Sequence, residues 1–334
     1  EQVIELFTKD PVIVETASLY MRFVSWSMIP YVIAQSISNA LRSIGYIKGT
    51  LRVTCLIVIL KVILNIVFTY YPLKLELFGA GLALVITRMA ELLLLVIVLN
   101  TSQSVLNLHE AFKLSLTKDM IIKVLKKMLP LGTNEFLFGI GLSIIYIQYA
   151  TYSTSTLAGY SIATTYFDIF RVIFASIGMT MNVFVLPELG TEQFAAAKSK
   201  AGQIIRFGVN TSMLFTSVFF VSSFTVPWIY NTSADSLAIA QSIIRIMALL
   251  FPLTTLHNLF YFIFRCGQDN KSILMIDSFF ILFLEIPLQY FLIHIMKLNI
   301  QTVYVVIELF YILKCLMAIH FLKKERWIRN LTVN

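Results

Sequence analysis

Residues 78–99 read FGAGLALVITRMAELLLLVIVL, twenty-two positions of which only Arg88 and Glu91 carry charge. At 1.5 Å per residue a helix of this length reaches about 33 Å, enough for the roughly 30 Å hydrocarbon core of a bilayer. Eight further runs share its character: 16–40, 51–70, 129–150, 158–186, 204–227, 237–264, 272–293 and 302–322. Turn signals separate them at Gly45 and Gly49, Tyr71-Pro72, Thr151–Thr156, Asn231–Ser233, Gly267–Asn270 and Asn299. The expected fold is all-α, a polytopic membrane protein with nine transmembrane helices.

The composition of the whole chain agrees with that reading. Of 334 residues, 58% are apolar and 13% charged, whereas a soluble domain is about half apolar and a quarter charged. A soluble enzyme, a disordered chain and a disulfide scaffold are excluded. Cys55, Cys266 and Cys315 have no metal-like spacing, and His109, His257, His294 and His320 are scattered with no nucleophile partner. No metal site, cofactor or enzymatic chemistry is expected. No glycine-rich phosphate loop is present, so an ion gradient must supply any transport energy.

The chain carries 26 Lys and Arg against 18 Asp and Glu. Seventeen of the 26 fall in alternate loops: Arg42 to Arg52, Lys113 to Lys127, Lys198 to Arg206, Arg265 and Lys271, and Lys323 to Arg329. The opposite loops hold only Lys9, Lys74 and Lys297. The positive-inside rule therefore makes the C-terminus cytoplasmic and puts Glu1 outside, in a cytoplasmic (inner) membrane. The basic excess marks topology, and nucleic acid is not an expected partner. Residues 101–128 form the longest break between spans. Within this expected cytoplasmic linker, Ile121, Ile122, Leu125 and Met128 share a helical face opposite Lys123, Lys126 and Lys127. Such a helix suits the lipid surface, with its lysines toward anionic headgroups; the other reading of this face is a partner-binding one.

Offset by 223 residues, the chain aligns Ala17 with Ala240, Arg22 with Arg245 and Arg42 with Arg265, while Pro30 and Pro252 fall one residue out of register. Both copies then turn through a glycine and a lysine, Gly45 to Lys48 and Gly267 to Lys271. Six crossings separate the copies, so they share one orientation, as in parallel repeats. The expectation is two six-helix lobes related by a parallel pseudo-two-fold axis, of which the chain holds one and a half. Residues 1–100 are the last three helices of the first lobe, 101–128 the linker, and 129–334 the complete second lobe. On this reading the chain is truncated at its N-terminus.

Ionisable groups within a bilayer are costly and are functional candidates by default. The cations are Arg22, Lys61, Arg88, Arg171, Arg245 and Lys314; the anions are Glu91, Glu135, Asp168, Asp277, Glu285 and Glu308. Arg88 with Glu91, and Asp168 with Arg171, are three apart and can pair locally. Glu135 lies beside Asn134 after Pro130-Leu131-Gly132, with no cation within the following turn. A carboxyl so placed can exchange a proton or bind Na⁺; the other reading is a structural hydrogen bond. Asp277 is close to the cytoplasmic end of its span, where solvation alone would explain it. Lys61 and Asn65 are one turn apart and can bond to each other, and His257 with Asn258 can line a polar path.

Several of these residues together resemble a known family. Leu41-Arg42-Ser43-Ile44-Gly45 at a helix end, Asn65, Phe78 to Ala83, and Arg88 with Glu91 are similar to the multidrug and toxic compound extrusion (MATE) transporters. So are Pro130 followed by Asn134-Glu135-Phe136, Leu189-Gly190 followed by Ala197-Lys198, and Arg265 with Gly267. Asp277, Ile286-Pro287, Glu308, Lys314 and the closing Trp327 to Leu331 continue the likeness across essentially the whole chain. The resemblance implies a secondary antiporter that exports small amphipathic or cationic compounds in exchange for Na⁺ or H⁺. It implies alternating access between two lobes, no cofactor beyond the coupling ion, a monomer, and lipids as the remaining partners. It places cation coupling at Glu135, beside Asn134; as polar groups within spans, Lys61, Asn65, Asp168, Arg171, His257, Asp277, Glu285, Glu308 and Lys314 are the candidates for a cleft lining or transport path. Lys61 stands where the family often has Asn, and a lysine there disfavours a cationic drug. A lipid-linked oligosaccharide flippase of the same superfamily is the alternative, with Lys61, Arg171 and Lys314 holding a pyrophosphate. A non-transporting membrane scaffold is the third reading.

Overall fold

Polar caps mark where four helices of the C-terminal half begin. The side chains of Ser153, Ser233, Asp269 and Asn299 accept the backbone N–H of Thr156, Ser236, Ser272 and Thr302 at 3.0, 3.3, 3.3 and 2.8 Å. Each satisfies one of the donors that a helix start leaves open. All four lie in turns expected from the sequence. The computed structural model describes residues 4–5, 11–43, 46–70, 72–101 and 117–329. Gly45, Tyr71, Lys9, Lys113, Asn330 and Leu331, together with most of the expected linker (102–116), lie outside the described residues.

Among the described residues the long helical stretches are, in order, α1 (Pro11–Ser43), α2 (Ile47–Tyr70), α3 (Glu76–Thr101), α4 (Lys118–Ala150), α5 (Thr154–Gly190), α6 (Phe194–Thr225), α7 (Ala234–Cys266), α8 (Asn270–Ile295) and α9 (Ile300–Lys323). Among the described residues eight of these, α2 to α9, are long and apolar enough to cross a membrane. Helix α1 is long enough, but Ser18, Arg22, Ser25, Ser27, Gln35, Ser36, Ser38 and Asn39 dilute its apolar character. The chain is thus an all-helical, multi-pass membrane protein. Its outer faces carry large apolar side chains such as Leu214, Trp26 and Leu93. Lipid is the solvent that makes such faces stable.

Lys118–Met128, expected as a separate surface helix, is the first part of α4, which runs on through Pro130. Moved by 223 positions, the bounds of α1 fall on those of α7; both have 33 residues and an interior proline, Pro30 and Pro252. The same shift carries α2 and α3 to within two residues of the bounds of α8 and α9.

The chain divides into two units, Glu1–Lys118 and Asp119–Asn334. In the first, Ala34, Leu41, Val53, Ile57, Leu95 and Leu99 form the core of α1, α2 and α3. In the second, two apolar clusters stack along the helices. One holds Phe170, Phe219 and Phe251, with the first two rings stacked at 4.2 Å. The other holds Phe264, Ile273, Cys315 and Trp327. The α7–α8 turn is tied down from the C-terminal side. Gly267 lies against the Trp327 backbone, where a Cβ would not fit, and Arg329 Nε donates to the Gly267 carbonyl at 3.2 Å.

Candidate functional site

Between the two apolar clusters of the second unit lies a polar layer built from α4, α7, α8 and α9. Its centre is Lys314, only 1% exposed, whose Nζ is 3.4 Å from Asp277 Oδ1. The stem and ammonium are packed among the rings of Tyr311, Phe280 and Phe138, at 4.9, 5.5 and 6.0 Å from Nζ to the ring centres. His257 Nε2 is 3.6 Å from the same Asp277 oxygen, and neither of its nitrogens makes a hydrogen bond. Two more carboxyls share the layer. Tyr304 Oη donates to Glu308 Oε1 at 2.6 Å, while Glu285 is buried and its Oε2 has no donor. One ammonium thus faces three carboxyls, an arrangement that apolar surroundings penalise unless another positive charge is supplied.

Asp277 is therefore not the solvated residue that its place near the start of α8 suggested. The first turns of α8 are buried against α7 and α9, so Asp277 is held within protein. Helix α8 departs from regular helix in this layer, and again at its end over Phe291–Ile295. Met275–Phe279 and Ile281–Glu285 are π-helical turns, which redirect side chains and are frequent at functional positions.

Asn134 and Glu135, consecutive on α4, point in different directions. Asn134 is buried, and Ser278 Oγ donates to its Oδ1 at 2.7 Å, next to Asp277. Glu135 is exposed and accepts Tyr261 Oη at 2.9 Å; Arg265 Nη1 donates to that phenol at 3.1 Å and lies 3.9 Å from the carboxylate. Glu135 thus lacks a cation in the following turn of its own helix yet has one from α7, 130 positions away in sequence and outside the reach of local spacing.

The other expected residues are spread out. Asp168 and Arg171 form an exposed local pair at 2.9 Å on α5. Arg88 and Glu91 pair at 2.8 Å, and Gln35 Nε2 donates to the second Glu91 oxygen at 3.4 Å. Lys61 and Asn65 do not bond to each other among the described residues; instead Lys61 lines a cavity of about 300 Å³ in the first unit. Arg42, Arg88, Glu91, Gln35 and Tyr31 line it too, with Arg88 stacked 4.1 Å above the Tyr31 ring. Its charged lining is three cations and one carboxylate. Sequence reasoning missed Tyr261, Arg265, Ser278 and Tyr304 as partners. It also passed over Gln148 and Gln289, whose signal was available: an amide in an otherwise apolar run.

The MatE family model matches residues 1–70 and 130–291 of the chain. The chain is 23% identical over 239 residues to the "Probable multidrug resistance protein YoeA" of Bacillus subtilis (strain 168), covering 70% of this chain and 50% of that protein. It spans about half the length of the curated relatives it matches. Among solved structures it is similar to an inward-facing multidrug resistance MATE family transporter of the MOP superfamily, with TM-score 0.80 at 14% identity. That likeness covers 97% of this chain and 74% of the other. A MOP superfamily transporter from Pyrococcus furiosus, described as having a binding pocket of reverse polarity that suggests a different function, is similar to the same extent, with TM-score 0.80, 13% identity and coverage of 97% and 74%.

Proposed function

The chain belongs to the MatE family, and on that premise we propose that it forms part of a cation-coupled exporter of small amphipathic compounds. The observation that carries this reading is the pairing of Asn134 and Glu135. Glu135 opens onto the exposed Tyr261–Arg265 contacts, and Asn134 just before it reaches Ser278 in the buried charged layer. An ion arriving at Glu135 therefore sits one residue from the interior of the unit. Na⁺ or H⁺ binds at Glu135, the two lobes rock, and substrate is displaced outward. The ion drives this cycle only to the extent that it binds the two states unequally.

On this reading α1 is a ninth crossing, with Ser18, Ser27 and Ser38 buried within its unit, and the C-terminus is cytoplasmic in a cytoplasmic membrane. The equal bounds of α1 and α7 at an offset of 223 support parallel six-helix lobes. The lobes act within one monomer, with lipids around them.

A second reading rests on the cavity of the first unit. Arg42, Lys61 and Arg88 against Glu91 alone suit an anionic group such as a phosphate better than a cationic drug. Arg171 and Lys314, each committed to a carboxylate, do not add to it. The two readings separate in intact cells. Expressed from its complete reading frame in a host lacking its own exporters, the protein should lower retention of a cationic dye severalfold. Unchanged retention, together with rescue of a surface-polysaccharide defect, would instead establish the anionic substrate.

A further inference from the structure

Away from Glu135, where α8 crosses the last turns of α4, three acceptor oxygens lie buried with no donor. Two glutamines clasp these helices reciprocally. Gln148 Nε2 donates to the Ile286 carbonyl at 3.4 Å, and Gln289 Nε2 donates to the Ile145 carbonyl at 3.5 Å. Each amide donates one N–H to the opposite backbone, while its Oε1 has no partner. Glu285 Oε2 is left in the same condition. The three side chains are 7%, 0% and 4% exposed for Gln148, Gln289 and Glu285. They are neighbours by construction. Glu285 and Gln289 are four apart on one face of α8, and the carbonyl that Gln148 reaches belongs to the residue after Glu285.

Buried acceptors without donors are costly, and a buried carboxylate without a counter-charge is costlier. The layer's one ammonium, Lys314, is already against Asp277. A proton on Glu285 would supply a single donor for two amide oxygens. A small monovalent cation seated among the three oxygens would give each a partner and cancel the charge as well. The donor set is oxygen only, which suits a hard cation. Among the described residues no group of three or more His, Cys, Asp or Glu could hold a metal ion, which removes the softer metals as competitors. The backbone is loosened at the same place. Ile281–Glu285 is a π-helical turn, and Pro287 has no N–H for the turn before it. Broken helices of this kind are where membrane transporters coordinate Na⁺.

We propose that Glu285, Gln289 and Gln148 form a Na⁺ site, separate from Glu135. The site does not depend on the export reading, and its test does not use transport. Thermal unfolding of the purified full-length protein is measured in NaCl and in choline chloride at equal ionic strength, in a Glu135→Gln background that removes any Na⁺ effect at that residue. Sodium should raise the midpoint in this background, and adding Glu285→Gln should abolish the rise. Gln289→Leu, which keeps the carboxyl, should raise the half-saturating Na⁺ concentration at least tenfold and serves if the glutamate variant does not fold. Equal midpoints in Na⁺ and choline, or a Na⁺ response that survives both substitutions, would overturn the site. A Na⁺-insensitive midpoint that falls as pH rises, and loses that fall in Glu285→Gln, would assign Glu285 a proton instead.

Discussion

Replacing Lys314 by methionine should cost the second unit about 3–5 kcal/mol, the penalty for leaving a buried charge without its partner. The side chain is 1% exposed and its ammonium is the counter-charge 3.4 Å from Asp277. Methionine keeps most of the stem's packing among Phe138, Phe280 and Tyr311, so the loss isolates the charge. His257 cannot substitute without taking up a proton in an apolar setting, at a cost of its own. The measurement is the thermal midpoint of the detergent-purified protein. Adding Asp277→Asn should recover most of the loss, because removing both members of a buried pair is far cheaper than removing one. A single Lys314→Met variant as stable as the parent would show that the layer does not depend on its ammonium.

Glu135→Gln should behave in the opposite way, sparing stability and weakening coupling. The carboxylate is half-exposed, its contact with Arg265 is 3.9 Å long, and a glutamine oxygen can still accept from Tyr261. Exposed pairs of this kind contribute about 0–1 kcal/mol, so the midpoint should barely move. What disappears is the charge proposed to bind the coupling ion. A contact with a charged group contributes about 1.5–3 kcal/mol, so cation-driven efflux should fall roughly 10- to 100-fold, at 1.4 kcal/mol per tenfold. Efflux rates of parent and variant, compared at matched expression, measure this. Equal rates would remove Glu135 from the mechanism.

The apolar runs and the punctuation between them were legible in the sequence because span length and capping are local. Ser153, Ser233, Asp269 and Asn299 cap helices within turns that the composition marked. Helix α1 shows the limit of that reasoning. Its length suits a crossing, but its serines and its Arg22 leave it outside the helices that apolarity alone identifies. The pairs Arg88–Glu91 and Asp168–Arg171 were legible too, since three residues bring two side chains together on one helix. The layer around Lys314 was not. Its partners come from four helices, and a helix apolar on all sides gives no stripe to show which face turns inward. Asn134 meets Ser278 across 144 positions and Glu135 meets Tyr261 across 126, so neither contact leaves a trace in spacing. Asp277 was misplaced for the same reason. Nearness to a helix end says nothing of whether neighbouring helices cover that end.

If the proposed export function holds, a cation gradient moves an organic compound through this protein. The full-length protein is reconstituted into liposomes with a cationic dye, and a Na⁺ or proton gradient is imposed with no other energy source. Dye should accumulate against its own gradient only while the ion gradient lasts, and should redistribute when an ionophore collapses it. Dye that equilibrates identically with and without the gradient would contradict the account.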